Sequence, residues 1–452
     1  MKKENRMTFK LKVHFFKRDI AEIIRFDLGC FTLPVTILTT VTALLFILSG
    51  RGGTGFKLLS KLYQTNWPLA EELCTILLKR VCRPGNGRLQ EFFATVRDAH
   101  IYRPNYPPIA QKFVTDPEKF FPGMCIVLKG YENGERGVIV LKYSYSFPLF
   151  LRLFDVDKIA QRYFIVLEPS WNGYFNLDIL SYLKLEAPVF VQAQEPRDAR
   201  LLKNIRSNLY PVPLGTNWWV DHQVFKPLHI EKDADIIMVA SWANFKRHYK
   251  FFRILKNMRK RGKVLRTILV GYPIERSLDE IREQASFFGI EDQIEFYEWL
   301  SPEEVNLQMN RAKVNLVWSR YEGNNRVLLE GMFAGVPFIL REGFNYGYKY
   351  PFVNNQTGLY ANERNLAHIV SYILTHTEKF KSREWALKNM SYERAVDILH
   401  ASIRRVALSL GERFDGNISP KVNELHGMRY ATEEGPYKYK RDYEYLKSCR
   451  RL

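Results

Sequence analysis

The sequence predicts an α/β protein with two Rossmann-like domains behind a helical N-terminal extension. Apolar runs typical of buried strands recur from residue 121 onward and alternate with turn or helix material, which predicts parallel sheets. The segment 210–227 interrupts this alternation and divides it into two series. Residues 28–49 carry no charge, so the extension includes a segment long enough to cross a bilayer as a helix.

Size and charge set outer limits on function. The chain has 452 residues, enough for several domains with cores of their own. Lys and Arg number 67 against 48 Asp and Glu, a formal net charge of +19, which favours phosphate-bearing partners such as nucleic acid, anionic lipid or nucleotide-linked substrates. The five cysteines are scattered, so they predict neither a zinc site nor a disulfide framework and favour a reduced compartment.

The helical extension covers residues 1–120 and contains the uncharged segment 28–49. The apolar run starts late and no small-x-small cleavage site follows it, so a membrane anchor fits better than a removable signal peptide. A buried helix, or a strand with a linker, stays open because threonines and Pro34 lower the hydrophobicity. The basic residues that precede the segment are Lys2, Lys3, Arg6, Lys10, Lys12, Lys17, Arg18 and Arg25.

Three glycines directly after this segment offer a different function. Gly50, Gly52 and Gly55 have the G-x-G-x-x-G spacing of a dinucleotide-binding turn, which would make the chain an NAD(P)-type oxidoreductase. That site also needs a strand before the turn and an acidic residue after a second strand. Glu71 and Glu72 lie at a plausible distance but precede the next strand-like run. Under the membrane interpretation, the glycines are a flexible exit from the bilayer.

The strand-like runs define two α/β domains and a tail. Residues 121–225 form the first Rossmann-like domain, expected to hold the acceptor, and 226–410 form the second, expected to hold a nucleotide. Residues 411–452 are predicted as a basic tail. The runs are MCIVLK, GVIVLK, YFIVLE and PVFVQA in the first domain, and DIIMVA, RTILVG, QIEFYE, VNLVWS and VPFIL in the second.

A compact strand-loop-helix unit in the second domain is the most informative stretch. Val314–Ser319 is predicted as a buried strand and Arg326–Ala334 as a helix, ended by Gly335. The free N–H groups at the start of this helix suit a diphosphate. Glu322 on the loop and Glu330 one turn into the helix can both face one ligand, with Glu330 accepting from ribose hydroxyls.

The stretch EGNNRVLLEGMFAGVPFI resembles the E-x7-E motif of retaining GT-B fold glycosyltransferases, the group 1 family. Further elements resemble that family in its order over residues 205–410. The resemblance implies a nucleotide-diphosphate sugar as co-substrate, transfer with retention, and neither a metal nor another cofactor. The further elements are VPLGTNWWVDHQVFKP, DIIMVASWANFKRHYKFFRIL, FYEWLSPEEVNLQMNRAKVNLVWS and FVNNQTGLYA.

Residue roles carry over from the same resemblance. It implies that Glu330 holds the ribose, Glu322 the donor sugar and Lys246 the diphosphate, with Glu322 and Lys246 as the catalytic pair. The family usually has an arginine where this chain has Ser241, so Arg247 or Arg326 is expected to replace it. In that family the loop after the residue that matches Glu322 is usually glycine-rich, and the bulkier asparagines of this chain narrow the space there. The remaining donor-site candidates are Gly323, Asn324 and Asn325.

The predicted function is therefore glycosyl transfer to a glycan or lipid-linked glycan acceptor in polysaccharide or glycoconjugate biosynthesis. The expected partners are the nucleotide sugar, this acceptor and an anionic membrane surface, attracted by basic residues within 246–266, and no nucleic acid. The enzyme is predicted to be membrane-associated with its catalytic domains in the cytoplasm. A non-catalytic glycan-binding protein stays open as an alternative.

Two acidic features of the first domain have competing interpretations. Asp155 and Asp157 form a D-x-D pair that could bind a metal, but acids are also common in a first helical turn. Glu168 and Trp171 follow a predicted strand, where an acceptor would lie in a parallel α/β sheet. Trp171 could stack on a sugar ring or could pack within the fold.

Overall fold

A computed structural model describes residues 2–65, 67–83, 85, 87–432 and 435–451. The side chains of Lys2, Lys3, Arg6 and Arg25, named above as basic flanks, lie outside the described part. The chain folds into two compact units, each made of two stretches of sequence. The five-stranded unit comprises Ala21–Trp219 and Tyr392–Leu452, and the six-stranded unit comprises Met1–Ile20 and Val220–Ser391. The predicted α/β class is confirmed in both.

Helices form the N-terminal extension. Among the described residues, Cys30–Leu48 is the one segment long and apolar enough to cross a membrane, by length and composition. Little of it is buried in the protein. A π-helical turn, Ile23–Asp27, joins the first two helices. The helices are α1 (Lys2–Glu22), α2 (Gly29–Leu48), α3 (Gly52–Tyr63), α4 (Ala70–Cys82) and α5 (Gly87–Ile101).

Of the three glycines of the dinucleotide-like spacing, Gly50 lies between helices α2 and α3, and Gly52 and Gly55 lie in the first turn of α3. Because α2 precedes Gly50, the strand that a dinucleotide-binding turn requires is replaced by helix, and the oxidoreductase interpretation is wrong at this point. A Cβ at Gly55 would lie 2.5 Å from the carbonyl oxygen of Ala43 in α2. A Cβ at Gly52 would lie 2.3 Å from the Phe92 ring. Two of these glycines therefore permit close helix packing.

The five-stranded sheet has its strands in chain order, β1-β2-β3-β4-β5. Its strands β2 to β5 are parallel, but β1 pairs antiparallel with β2, which corrects the expectation of a wholly parallel sheet. A further correction is that the interrupting segment begins inside a strand, β5. The strands are β1 (Cys125–Lys129), β2 (Gly137–Lys142), β3 (Tyr163–Glu168), β4 (Val189–Gln192) and β5 (Leu209–Val212).

Short helices precede this sheet and connect its strands β2 to β5. Asp155 caps one of them, accepting a hydrogen bond from Lys158 N at 3.2 Å, and Asp157 lies in the first turn of that helix. The D-x-D pair is thus part of a helix start. The helices are α6 (Gln111–Thr115), α7 (Ser146–Leu153), α8 (Val156–Arg162), α9 (Leu177–Leu180) and α10 (Pro196–Ile205).

The six-stranded sheet is wholly parallel, with the order β11-β10-β9-β6-β7-β8. This order runs outward in both directions from its first strand, as in a doubly wound Rossmann sheet. Its strands are β6 (Ala234–Val239), β7 (Thr267–Gly271), β8 (Ile294–Glu298), β9 (Ala312–Val317), β10 (Phe338–Arg341) and β11 (Gly358–Ala361). Its helices are α11 (His248–Lys260), α12 (Leu278–Phe288), α13 (Pro302–Arg311), α14 (Arg326–Phe333), α15 (Leu366–Thr375) and α16 (Ser382–Met390).

The C-terminal stretch belongs to the core of the five-stranded unit and does not stand apart as a tail. Val422, Met428 and Leu446 are buried against the same hydrophobic core as strands β1 to β5. The stretch comprises α17 (Tyr392–Ser409), the hairpin β12 (Lys421–Glu424) and β13 (Gly427–Tyr430), α18 (Gly435–Lys438) and α19 (Lys440–Ser448).

A buried ion pair fixes the hairpin to the sheet. Lys421 Nζ lies 2.7 Å from Glu168 Oε2, and both side chains are fully buried. Asn423 Nδ2 donates to Oε1 of Glu168 at 2.7 Å, and Gln192 Nε2 donates to Oε2 at 3.3 Å. Glu168 is thus enclosed, contrary to the expectation that it faces an acceptor. Trp171 is half exposed.

Candidate functional site

The strand order of the six-stranded unit locates a ligand crevice. In doubly wound sheets, ligands bind beyond the carboxyl ends of the strands where the order reverses. Here that point lies between β6 and β9. A turn containing Asn244–Lys246 follows β6, and a loop ending at Asn325 follows β9. The sequence-predicted site residues lie on these two segments.

Glu322 joins the two segments. Lys246 Nζ lies 2.9 Å from Glu322 Oε2, and both side chains are largely buried. Asn325 Nδ2 donates to the same oxygen at 2.6 Å, while the Ser319 hydroxyl donates to Oε1. Asn345 Oδ1 accepts the backbone N–H of Glu322 at 2.7 Å. The carboxylate therefore fixes the shape of the loop and holds Lys246 beside it.

Helix α14 begins where this loop ends. Asn325 is its N-cap, with Oδ1 accepting the N–H of Leu328 at 3.3 Å. Both ends of the Asn325 amide are thereby engaged within the loop. Gly323 and Asn324 are half exposed at the same helix start. The first-turn N–H groups and the helix dipole make this position favourable for an anion.

Glu330 lies one turn into α14, as the sequence predicts. Its Oε1 is 3.3 Å from Arg326 Nε. Burial raises the pKa of Glu330 above its ordinary value, and the positive charge of Arg326 opposes that rise. A buried carboxylate with one cationic neighbour retains acceptor capacity for ligand hydroxyl groups.

Arg247 follows Lys246 at the end of the same turn. It adopts a left-handed backbone conformation with φ of 63°, and its Nη2 lies 2.6 Å from Glu363 Oε1. Its part in donor binding stays a prediction. Below the turn, burial lowers the pKa of His248 to about 3, with a smaller effect from the nearby Lys246 charge, so this imidazole is neutral.

Sequence reasoning missed four neighbours of the site. Ser319 and Asn345 hold Glu322, as described above. Tyr272 follows β7 and Trp299 follows β8, and their ring centroids lie 5.5 Å apart. Both rings are substantially exposed, at 42% and 67%. Burial raises the pKa of Tyr272, with a further rise from the Glu322 charge and an opposing effect of Arg326. The sequence could have indicated Tyr272 and Trp299, because each is an aromatic residue close behind a predicted parallel strand.

Metal ligands are not grouped in the described part of the chain. Across its described ranges, no set of three or more His, Cys, Asp or Glu side chains is placed to hold an ion. The positive charges at the crevice come instead from Lys246 and Arg326.

Comparisons with known proteins match this unit. Residues 220–389 match the family model described as Glycosyl transferases group 1. No curated protein matches the chain. The C-terminal domain of a glycosyl transferase group 1 family protein (LpcC) from Francisella tularensis is similar in structure, with 15% identity, coverage of 38% of this chain and 98% of that one, and a TM-score of 0.33.

Two longer structures resemble more of the chain. Sucrose-phosphate synthase from Thermosynechococcus elongatus has 17% identity and a TM-score of 0.46, covering 60% of this chain and 74% of that one. Anabaena Alr3699/HepE in complex with UDP has 12% identity and a TM-score of 0.44, covering 60% and 78%. By its family match and its α/β units, the chain is a glycosyltransferase, with its group 1 domain at residues 220–389.

Proposed function

We propose that the chain transfers a sugar from a nucleotide-diphosphate sugar to a glycan or lipid-linked glycan. The observation that carries this proposal is the contact between Lys246 and Glu322, at 2.9 Å. It brings the turn after β6 and the loop after β9 together at the point where the sheet order reverses. These are the two segments whose residues resemble the donor-binding elements of group 1 enzymes.

The donor fits this crevice by charge. We expect the diphosphate to lie at the start of α14, where backbone N–H groups, Lys246 and Arg326 supply positive charge. As the bond to the sugar breaks, negative charge grows on the leaving diphosphate, and these groups stabilise it. The proposed enzyme therefore uses the nucleotide sugar as its one co-substrate, without a resident metal. Retention of configuration is proposed from the E-x7-E resemblance.

The nucleoside occupies the other side of the crevice in this proposal. The ribose hydroxyls donate to Glu330, whose burial makes a charge-assisted hydrogen bond strong. The exposed rings of Tyr272 and Trp299 offer a surface on which a base can stack. Gly323 and Asn324 are left to face the sugar. Gly323 has no side chain and so leaves room for the sugar beside Glu322.

Membrane attachment belongs to the same proposal. Helix α2 is apolar, has the length of a bilayer-spanning helix and is mostly unburied, so we propose that it anchors the enzyme by inserting into the bilayer. Because Phe15, which precedes α2, stacks on Tyr249, which follows it, we propose that α2 inserts without carrying the chain to the other side. Most nucleotide sugars are made in the cytoplasm, so we place the catalytic units on that side and propose a membrane-linked precursor of a polysaccharide or glycoconjugate as the acceptor. Protease added to intact cells should leave these units uncut. Cleavage from outside would contradict this topology.

A substitution at Lys246 tests the catalytic proposal. The Lys246→Met variant should release nucleoside diphosphate from labelled nucleotide sugars about a hundredfold more slowly, because the leaving group loses a positioned cation. Donor binding should fall less than turnover, since the charge develops in the transition state. Lys260→Met, at the exposed end of α11, is the matched control.

Two outcomes would contradict the proposal. If Lys246→Met keeps the wild-type rate and remains folded by its thermal unfolding midpoint, Lys246 does not act on the diphosphate. If the wild-type protein binds a nucleotide sugar but neither transfers nor hydrolyses it, the non-catalytic glycan-binding alternative is favoured.

A further inference from the structure

We propose that helix α1 lies flat on an anionic membrane surface and holds the phosphate-side turn of the six-stranded unit against that surface. The helix has two faces. The inner face, residues Leu11, His14, Phe15 and Arg18, packs on the unit. The outer face, residues Phe9, Phe16 and Ile20, is exposed. This inference rests on the membrane attachment proposed above and names a second membrane contact.

The inner face is firmly docked. Phe15 is buried, stacks on Tyr249 with ring centroids 4.9 Å apart, and lies 5.6 Å from the Phe288 ring. Asp19 accepts a hydrogen bond from the Tyr249 hydroxyl at 2.9 Å and lies 3.2 Å from Arg253 Nη2. Residues 15–19 are therefore fixed to helices α11 and α12.

The docked helix also reaches the turn that carries Lys246. Arg276 Nη2 lies 2.8 Å from His14 Nε2, and Arg276 Nε donates to Asn244 Oδ1 at 3.0 Å. Asn244 begins the turn that ends at Lys246. Movement of α1 should therefore shift the turn that carries Lys246, because Arg276 contacts both His14 on α1 and Asn244 in that turn.

The outer face has the composition of a membrane-surface helix. Phe9, Phe16 and Ile20 are 67%, 66% and 40% exposed. Their spacing of seven and four residues places them within about 20° of one line along the helix. Exposed lysines flank this stripe, at Lys10, Lys12 and Lys17. An apolar stripe bordered by lysines buries its side chains at the headgroup boundary of anionic lipid.

Continuity with α2 favours a bilayer as the occupant of this face. Exposed apolar side chains continue past Ile20 at Ile23 and Ile24, and α2 begins at Gly29. If α2 inserts into the membrane from the side on which α1 lies, the stripe lies within reach of the membrane surface. The positive charges of the lysines complement lipid phosphates. Binding of a water-soluble protein would not require the apolar stripe to continue into α2.

The basic region 246–266, expected from sequence to attract lipid, is largely neutralised within the protein. Six of its ten Lys and Arg side chains have carboxylate partners. These pairs are Lys246 with Glu322, Arg247 with Glu363, Lys250 and Arg253 with Asp19, Arg259 with Asp292, and Arg266 with Asp233 and Glu295. The lysines of α1 therefore replace it as the proposed source of attraction.

A fluorescent label at the outer face tests the inference in the full-length chain. The exposed Cys30 is replaced by Ser, Phe16→Cys is labelled with an environment-sensitive dye, and the protein is reconstituted in phosphatidylethanolamine–phosphatidylglycerol or phosphatidylcholine vesicles. Emission from position 16 should shift to the blue in the anionic vesicles. The shift should weaken in high salt and when Lys10, Lys12 and Lys17 are replaced by Gln. A label at Leu307→Cys, an exposed apolar site on α13, should not respond.

The outcomes separate this inference from the proposal on which it rests. If the protein stays with the vesicles after a carbonate wash but position 16 reports water in both lipids, the inference is overturned and the α2 anchor stands. An equal shift in phosphatidylcholine would overturn the anionic requirement. If the protein does not associate with vesicles at all, both membrane contacts fail, while nucleoside diphosphate release in detergent still tests glycosyl transfer.

Discussion

Replacing Glu330 by Gln should separate donor binding from stability. Gln keeps the shape of the side chain but removes a charge that burial disfavours, as the raised pKa of Glu330 indicates. An acid with a raised pKa stabilises the fold below its unfolded pKa, and this stabilisation is lost as pH rises through the raised value. At a pH above the raised pKa, the wild-type protein therefore bears the whole free-energy cost of burying this charge. The variant should have an unchanged or higher free energy of unfolding.

Donor binding should change in the opposite direction. The ribose hydroxyls would lose a charged acceptor, and hydrogen bonds to charged groups contribute about 1.5–3 kcal/mol. That range corresponds to a dissociation constant raised about tenfold to about a hundredfold. Because only the carboxylate accepts from both hydroxyls, wild-type affinity should also fall as pH is lowered through the raised pKa of Glu330. The Glu330→Gln variant should lack this dependence.

Calorimetric titration with a panel of nucleotide sugars measures the affinity, and urea titration measures the stability. Glu303→Gln, an exposed carboxylate in the first turn of α13, is the matched control and should change neither. Wild-type affinity in the Glu330→Gln variant would refute the assignment of Glu330 to the donor. Equal losses of affinity and stability would mean that the residue acts through folding alone.

Three further predictions test the fold. Burial lowers the pKa of His248 to about 3, so at pH 5 this residue takes up a proton only when the chain unfolds. It should therefore lower the free energy of unfolding by about 2 kcal/mol at pH 5 relative to pH 7. Denaturant titrations at both pH values should show this decrease in the wild type and not in His248→Gln. Gly55→Ala should lower the thermal midpoint, whereas Gly53→Ala, with open space at its Cβ, should raise stability by up to about 1 kcal/mol. Lys421→Met should cost about 3–5 kcal/mol in denaturant titrations, and adding Glu168→Met should recover most of it.

The local features of the site follow from sequence. Strand β9, the loop and helix α14 lie within two residues of their predicted bounds, because an apolar run, an Asn cap and a left-handed Gly335 each act over a few residues. The closeness of Lys246 to Glu322 is also as expected, since carboxyl ends of parallel strands share one edge.

Contacts between distant segments were not predictable in the same way. Nothing periodic in the sequence marks Lys421 as the partner of Glu168, or Phe15 as the residue that stacks on Tyr249. Each pairing depends on where whole elements dock. The antiparallel β1 was missed for a related reason, since a buried strand has the same apolar run in either direction.

The pairing of Lys421 with Glu168 has a consequence for how the chain is made. Glu168 is synthesised long before Lys421, so this carboxylate of the five-stranded unit lacks its cationic partner until the hairpin of β12 and β13 has been made. Val220–Ser391 is synthesised earlier and can pack on α1, which precedes it, as soon as it emerges. The unit proposed to bind the donor can therefore fold first, and the five-stranded unit, although begun earlier, is completed after it.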